Sequence, residues 1–378
     1  MFASVAGSGL LIAVIVAAVC LVFDRTPRSR AGDAPGAAHG FVFASAIAIP
    51  PGSLFTPSPN AANPSAFAET AILNAASTPP LRPALLLGQI SPPPATDTSL
   101  PPPPASTATR YVSFAFLVAA PIVLFALWFG DYIRPASIEK GGKRQLGEHP
   151  WFIWLFAGFV IFLTSALGAS IAYQSPLNRG LGLSLREMAV PQLGMYAAGI
   201  FAAFVMLRLL RSGAPGAGLK FATSDLWKGA IALAAAFPVV SATGQISSFL
   251  HSRITGTPQA PISHKTLQVF ADHPDDPWAR VLMFCAIIGA PIVEESMYRA
   301  CAQSAALKLT GRAWLSVVLA TGVFTLSHWG AIPGHAFAPI AVLGLAMGIA
   351  FERTKSLGVP IVMHIGCNGV NVALAVML

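Results

Sequence analysis

Two adjacent glutamates, Glu294 and Glu295, interrupt a stretch of sequence that otherwise has the composition of a membrane-spanning helix. Carboxylates in the hydrocarbon region of a bilayer are costly, and they persist there mainly when they are paired, solvated in a cavity or used in chemistry. Elsewhere the chain keeps its acidic residues in predicted loops or at the ends of apolar runs. The pair therefore indicates a buried polar site.

Other polar side chains that could act with Glu294 come later in the sequence: His328, and the pair His364 and Asn368. His364 and Asn368 are four residues apart, so they share one face of a helix. Glu294 lies 17 residues before Gly311, and His328 lies 17 residues after it. Since a helix rises by about 1.5 Å per residue, two antiparallel helices joined at Gly311 would bring Glu294 and His328 to the same depth. We expect these side chains to meet in one cavity.

This set of residue types fits the attack of water on an amide. A carboxylate and an imidazole can hold a water molecule and remove its proton, and a second imidazole and a carboxamide can donate hydrogen bonds to a developing oxyanion. These residue types are also compatible with a metal site, because Glu294, His328 and His364 could bind a divalent ion such as zinc. Each residue also has a structural alternative: Glu295 and Arg299 have the spacing of a helical salt bridge, the histidines could join helices, and Phe324 could serve packing alone.

The composition indicates that the site lies in a membrane. Of the 378 residues, 54% are hydrophobic and 10% are charged, and the mean hydropathy is +0.66, whereas a soluble domain carries about 25% charged residues. We therefore predict an all-α polytopic membrane protein. The net charge of +8 is scattered over short loops, so nucleic acid is not expected as a partner. The four cysteines show no C-x-x-C spacing, which argues against a disulfide framework or a zinc knuckle.

The chain divides into three predicted parts. Residues 1–23 form a membrane anchor or signal-like segment, residues 24–110 form a disordered tether rich in Pro, Ala and Ser, and residues 111–378 form the membrane core. We predict eight spans in the core, at 111–130, 151–173, 189–210, 228–249, about 280–309, 313–330, 336–352 and 359–378. The segment 250–280 contains several histidines and aspartates, but its irregular spacing and its prolines favour a solvated loop over a metal site.

Basic residues favour one orientation in the membrane. If the first anchor has its amino terminus in the cytoplasm, the cytoplasmic loops hold Arg134, Lys140, Lys143, Arg144, Arg208, Arg211, Lys220, Lys228, Lys308, Arg312, Arg353 and Lys355, as the positive-inside rule requires. Arg25, Arg28 and Arg30 argue the other way. The signal-like start and the long tether suggest a bacterium, so we expect an integral protein of the inner (cell) membrane whose active-site cavity opens toward the cytoplasm.

The three motifs E-E-x-x-x-R (294–299), F-x-x-x-H (324–328) and H-x-x-x-N (364–368) resemble, in this order, those of the CPBP family of intramembrane proteases. That family includes the CAAX prenyl endopeptidases and bacteriocin-processing or Abi-like members. The resemblance is strongest over about 280–378, extends more loosely to 111, and implies an eight-helix core. By motif, it implies that Glu294 and His328 activate the water, that His364 and Asn368 stabilise the oxyanion, and that Glu295, Arg299 and Phe324 support them.

The sequence thus predicts an intramembrane endopeptidase that hydrolyses a hydrophobic or lipid-modified peptide or a membrane protein, with the lipid bilayer as its surroundings. One alternative is a non-catalytic immunity or partner-binding protein with the same fold. Another is a proton-coupled transporter, in which intramembrane Glu and His residues are also usual. A transporter is expected to have helices interrupted by Gly or Pro at corresponding positions of its two halves, and the sequence does not show this symmetry.

Overall fold

The computed structural model describes residues 107–134, 137–139, 142–178, 185–256 and 265–377. Within these ranges the secondary structure is helical, apart from an isolated bridge between Trp329 and Ile332. Besides short 3₁₀ turns, the described residues form α1 (Thr107–Phe129), α2 (Trp151–Gln174), α3 (Leu185–Gly213), α4 (Ser224–Thr255), α5 (Lys265–Asp272), α6 (Pro277–Thr310), α7 (Ala313–Leu326), α8 (Phe337–Thr354) and α9 (Gly358–Met377).

Six of the described helices, α2, α3, α4, α6, α8 (counted from Gly334) and α9, are long and apolar enough to cross a membrane, and Ser113–Phe129 within α1 and Ala313–Leu326 are shorter apolar helices. The predicted class, an all-α polytopic membrane protein, is confirmed. The predicted anchor at 1–23 and most of the predicted tether at 24–110 lie outside the described residues, although α1 already begins at Thr107. The segment 250–280 is more helical than predicted, because α4 continues to Thr255 and α5 follows, burying Leu267 and Phe270.

Glycines allow α2 and α3 to approach each other closely. A Cβ atom added at Gly168 would lie 2.5 Å from the carbonyl oxygen of Gly194, and one added at Gly194 would lie 2.6 Å from the carbonyl oxygen of Gly168. Lipid offers no hydrophobic force between helices, so close contact between small residues is a main source of helix association in membranes. This pair fixes α3 against α2, and further along α3 Gly199 lies against both Ser165 of α2 and Val293 of α6.

Four connections meet at one end of the bundle, which we call the basic end: the described residues of 130–150 (130–134, 137–139 and 142–150), and residues 214–223, 311–312 and 355–357. Lys143 Nζ donates to the carbonyl oxygen of Gly311 at 2.6 Å, and Lys308 Nζ donates to that of Gly147 at 2.7 Å. The backbone N–H of Leu357 donates to the carbonyl oxygen of Gly218 at 2.9 Å. These bonds place every second connection on the same side, as expected for helices that alternate in direction.

A buried ion pair lies just inside the basic end. The guanidinium of Arg144 donates to both carboxylate oxygens of Glu352, at 2.7 and 3.0 Å, and to the hydroxyl of Ser304 at 2.8 Å. Gln303 Nε2 donates to Glu352 at 2.8 Å. The sequence predicted Arg144 as a basic residue of a cytoplasmic loop, but its side chain is buried in this ion pair. It joins the segment before α2 to α6 and α8.

Candidate active site

Two wider turns of helix α6 flank the glutamates. Cys285–Gly289 and Ser296–Gln303 are π-helical, whereas Ala290–Glu295 between them is α-helical. π-helical turns are rare, and they occur frequently at functional sites because each changes the direction in which the following side chains point. Glu294 and Glu295 end the short α-helical segment, so the rotation of α6 at the glutamates differs from that of a regular helix.

Glu295 connects α6 to α9 through its two carboxylate oxygens. Oε1 accepts a hydrogen bond from His364 Nδ1 at 2.9 Å, and Oε2 forms an ion pair with Arg299 Nε at 3.0 Å. All three side chains are fully buried. The predicted pairing of Glu295 with Arg299 is present, and the contact with His364 adds a function to it. Because a carboxylate accepts at Nδ1, it fixes the orientation of the imidazole and directs Nε2 elsewhere.

Glu294 lies next to the Nε2 edge of the His364 imidazole. Its Oε2 atom is 3.9 Å from His364 Nε2, and 13% of the Glu294 side chain is exposed, whereas His364 is fully buried. Oε2 accepts no hydrogen bond from the residues that the structure describes. Glu294 is thus a carboxylate at the edge of an otherwise closed polar site, close to a second ionisable group.

Phe324 brings His328 to the same site. Its ring packs edge-on against the rings of His328, at a centroid distance of 4.8 Å, and of His364, at 6.0 Å. The Arg299 guanidinium lies 4.9 Å from the same ring centroid. Phe324 is therefore level with Arg299, one turn after the glutamates. His328 follows Phe324 by four residues, in the turn after α7, so it lies from Phe324 in the direction of the glutamates, the arrangement that the spacing about Gly311 predicts.

His328 follows the end of α7, in the first turn beyond Leu326. Its Nδ1 atom is 2.7 Å from the carbonyl oxygen of Phe324. A carbonyl can only accept, so Nδ1 carries the hydrogen, and the lone pair of the neutral ring lies on Nε2. The ring is buried. The local backbone therefore sets the tautomer that a proton acceptor at Nε2 requires.

Asn368 lies one turn after His364 on α9 and is also buried. Its Nδ2 atom donates to the carbonyl oxygen of Ala286 in the first π-helical turn, at 2.9 Å. This bond uses one of the two hydrogens on the carboxamide nitrogen. Asn368 thus joins α9 to α6 at a point about two turns before Glu294 on α6, in addition to the oxyanion contact predicted for it.

Sequence reasoning missed two tyrosines near Glu294. The Tyr298 ring packs edge-on against Phe324 at a centroid distance of 5.2 Å, and Tyr196 on α3 packs against Gly289. The position of Tyr298, four residues after Glu294, is a signal that could have found it, because such residues share a helix face. Tyr196 offers no such signal, since nothing in the sequence pairs α3 with α6.

The predicted metal set, Glu294, His328 and His364, does not fit a zinc site as these side chains are placed. Among the residues that the structure describes, no three His, Cys, Asp or Glu side chains form a metal-ligand group. Ligands at about 2.0–2.2 Å from a tetrahedral zinc lie about 3.4 Å apart, which is less than the 3.9 Å between Glu294 Oε2 and His364 Nε2. The mechanism below therefore uses protein groups alone.

Comparison with known proteins agrees with the geometry. Residues 276–370 match the family model described as type II CAAX prenyl endopeptidase Rce1-like. This part of the chain is similar to that family. The match confirms the resemblance to the CPBP family, and it covers α6 to α9 up to and including Asn368, the segment that carries all three motifs. The Rce1-like family is a family of proteases. No curated protein and no solved structure shows significant similarity to the chain.

Proposed function

We propose that this protein is an intramembrane endopeptidase that hydrolyses a peptide bond with a water molecule activated by Glu294 and His328. One observation carries the proposal: the imidazoles of His328 and His364 pack on the same Phe324 ring, and His364 lies beside both Glu294 and Glu295, in a site that is buried except for part of Glu294. The Rce1-like family match supports a protease over an immunity protein or a transporter.

The first step is the removal of a proton from water. Glu294 is the candidate acceptor, since its carboxylate is partly exposed and Oε2 accepts no hydrogen bond from the described residues. His328 presents the lone pair of Nε2 because Nδ1 is bonded to the Phe324 carbonyl. Together they orient the water, whose oxygen attacks the carbonyl carbon while its proton passes to Glu294. The same proton then goes to the departing amine, which is ordinary general acid–base catalysis.

The second requirement is stabilisation of the oxyanion, which we assign to His364 and Asn368. Glu295 fixes His364 through Nδ1, so a proton on Nε2 points into the site next to Glu294. Glu295 and Arg299 form an ion pair, so their charges compensate each other. Transfer of a proton from water to Glu294 moves negative charge onto the oxyanion without changing the total, so the buried site gains no additional charge.

The substrate class we propose is a hydrophobic or lipid-modified peptide, or a membrane protein, that reaches the site from the bilayer. The buried position of the site between membrane helices favours such a substrate over a soluble protein. The family's name makes prenylated CAAX sequences one candidate. We propose that the basic end faces the cytoplasm of a bacterial inner membrane, by the positive-inside rule, and that the cavity opens to that side.

A comparison of protein termini in the native membrane tests the function. A deletion strain would carry the wild type, Glu294→Gln, or Glu148→Gln as the matched control, since Glu148 is exposed near the basic end. We expect new amino termini in membrane proteins with the wild type and the control, and none with Glu294→Gln, provided that all three proteins insert equally. Identical termini in all strains would remove the endopeptidase from consideration and favour the partner-binding alternative.

A further inference from the structure

The side of α3 that packs against α6 carries two polar side chains that the mechanism above does not use, Gln192 and Tyr196. They lie four residues apart, and Gly199 continues the same side of the helix. Both side chains are buried, and neither amide atom of Gln192 has a hydrogen-bond partner among the described residues. A buried polar group without a partner is costly and calls for an explanation. The side of α3 that faces α6 therefore buries polar side chains that helix packing alone does not explain.

Tyr196 lies against the part of α6 that leads to Glu294. A Cβ atom added at Gly289 would lie only 2.8 Å from Cγ of Tyr196, so the glycine provides the space for the ring. Further along, a Cβ atom at Gly199 would lie 2.9 Å from Cγ2 of Val293, the residue before Glu294. The two helices thus run in the same direction at this contact, and Tyr196 and Glu294 are close enough to interact electrostatically.

Glu294 differs from Glu295 in the support that it receives. Glu295 is held by Arg299 and by His364, whereas Oε2 of Glu294 accepts no hydrogen bond from the described residues. A group that must hold a water molecule needs a fixed orientation, since a displacement of about 1 Å costs on the order of 10²-fold in rate. The other charged or titratable groups around Glu294 come from α3, α6, α9 and the turn after α7: Tyr196, Tyr298, Glu295, Arg299, His364 and His328.

We propose that Tyr196 is a positioning residue for Glu294: the phenolic hydroxyl donates a hydrogen bond to the Glu294 carboxylate and directs it toward the water. Tyr196 belongs to α3, whereas the two histidines lie on α9 and in the turn after α7, so the phenol comes from a different helix. Catalytic hydrogen bonds are often long in an enzyme without substrate and shorten in the complex. The inference rests on the proposed function, because it takes Glu294 as the group that activates water.

The first variant to test is Tyr196→Phe, which keeps the ring against Gly289 and removes only the hydroxyl. With a fluorogenic peptide copied from a cleavage site found by the terminus comparison, we expect kcat to fall about 10- to 100-fold while KM stays within about twofold. KM should not change because Tyr196 contacts the carboxylate and not the peptide. Tyr173→Phe on α2, at an exposed tyrosine, is the matched control and should keep the activity of the wild type.

A glycine pair provides a second, independent variant. Gly289→Ala would displace the Tyr196 ring, and its hydroxyl with it, without removing the hydroxyl, and we expect it to lower kcat as Tyr196→Phe does. Gly322→Ala on α7 is its control, because a Cβ atom there meets nothing within 4 Å. If both variants act through the same contact, the double variant Gly289→Ala/Tyr196→Phe should be no slower than the slower single variant. A loss equal to the product of the two single losses would overturn the proposal.

Infrared spectroscopy of the protein labelled with isotopic glutamate, in complex with a hydrophobic peptide whose central amide bond is reduced, reads the contact without any turnover. The band that Glu294→Gln removes belongs to Glu294, and we expect Tyr196→Phe to shift that band while Tyr173→Phe leaves it in place. This measurement separates the two proposals: a shifted band without any cleavage activity would support the contact and refute the endopeptidase. An unshifted band in Tyr196→Phe overturns the role of Tyr196, whatever the enzyme does.

Discussion

His364 on α9 donates a hydrogen bond from Nδ1 to Glu295 on α6 at 2.9 Å, although the two residues are 69 positions apart in the sequence. The same carboxylate holds Arg299 at 3.0 Å, so one buried anion fixes two cationic or potentially cationic side chains on two helices. The motifs E-E-x-x-x-R and H-x-x-x-N are therefore joined physically. The second glutamate of the pair serves to orient His364, and the first remains for chemistry.

Glu295→Gln should damage both the fold and the reaction. The neutral amide leaves the fully buried Arg299 without its anion, and removing one partner of a buried ion pair costs about 3–5 kcal/mol of unfolding free energy. Thermal unfolding in detergent should therefore show a larger loss for Glu295→Gln than for Glu294→Gln, whose side chain is paired with no buried guanidinium. The reverse order of stabilities would contradict the assignment of the two glutamates.

The sequence predicted the parts of the site that depend on local geometry. The equal distances of Glu294 and His328 from Gly311 predict a common depth, and the spacing of Glu295 and Arg299 predicted the ion pair that is present. Both predictions follow from the rise and periodicity of a helix. The hydrogen bond from His364 to Glu295 depends on how α9 packs against α6, and the π-helical turns of α6 alter the direction of its side chains. Neither can be read from the periodicity of a single helix.

Asn368→Ala separates an oxyanion donor from a residue that only joins two helices. If Asn368 stabilises the oxyanion, the variant should lower kcat by about 10²-fold or more, whereas the lost bond to the Ala286 carbonyl costs only about 0.5–1.5 kcal/mol of stability. Asn371→Ala is a matched control on the same helix, since Asn371 is buried and contacts Cys367 Sγ at 3.7 Å. Equal activities of the two variants would assign Asn368 to packing.

Chelation of metal should leave the activity unchanged. Among the described residues no three ligand side chains converge, and the proposed mechanism needs only the proton transfers of Glu294 and the donors around it. Protein in membrane vesicles would be incubated with 1,10-phenanthroline, dialysed and assayed with a fluorogenic peptide copied from a cleavage site found by the terminus comparison. We expect the cleavage rate to equal that of the untreated sample. A loss of activity that added zinc restores would show that the ligands rearrange around an ion, and the water would then have to be assigned to the metal.

The buried pair of Arg144 and Glu352 provides a test of the fold that is independent of catalysis. Glu352→Gln should lower the unfolding free energy by about 3–5 kcal/mol, because it leaves a buried guanidinium without its anion. The double variant Arg144→Met/Glu352→Met should recover most of that loss, since apolar side chains of similar volume avoid the cost of desolvating two charges. Asp275→Asn, which removes the exposed partner of Arg280, should cause no measurable change and serves as the control. Thermal unfolding of the purified variants decides the matter. The double variant could instead prove as unstable as Glu352→Gln. In that case the hydrogen bonds of Gln303 and Ser304 to the pair hold the segment before α2 against α6 and α8, and the balance of the two charges does not.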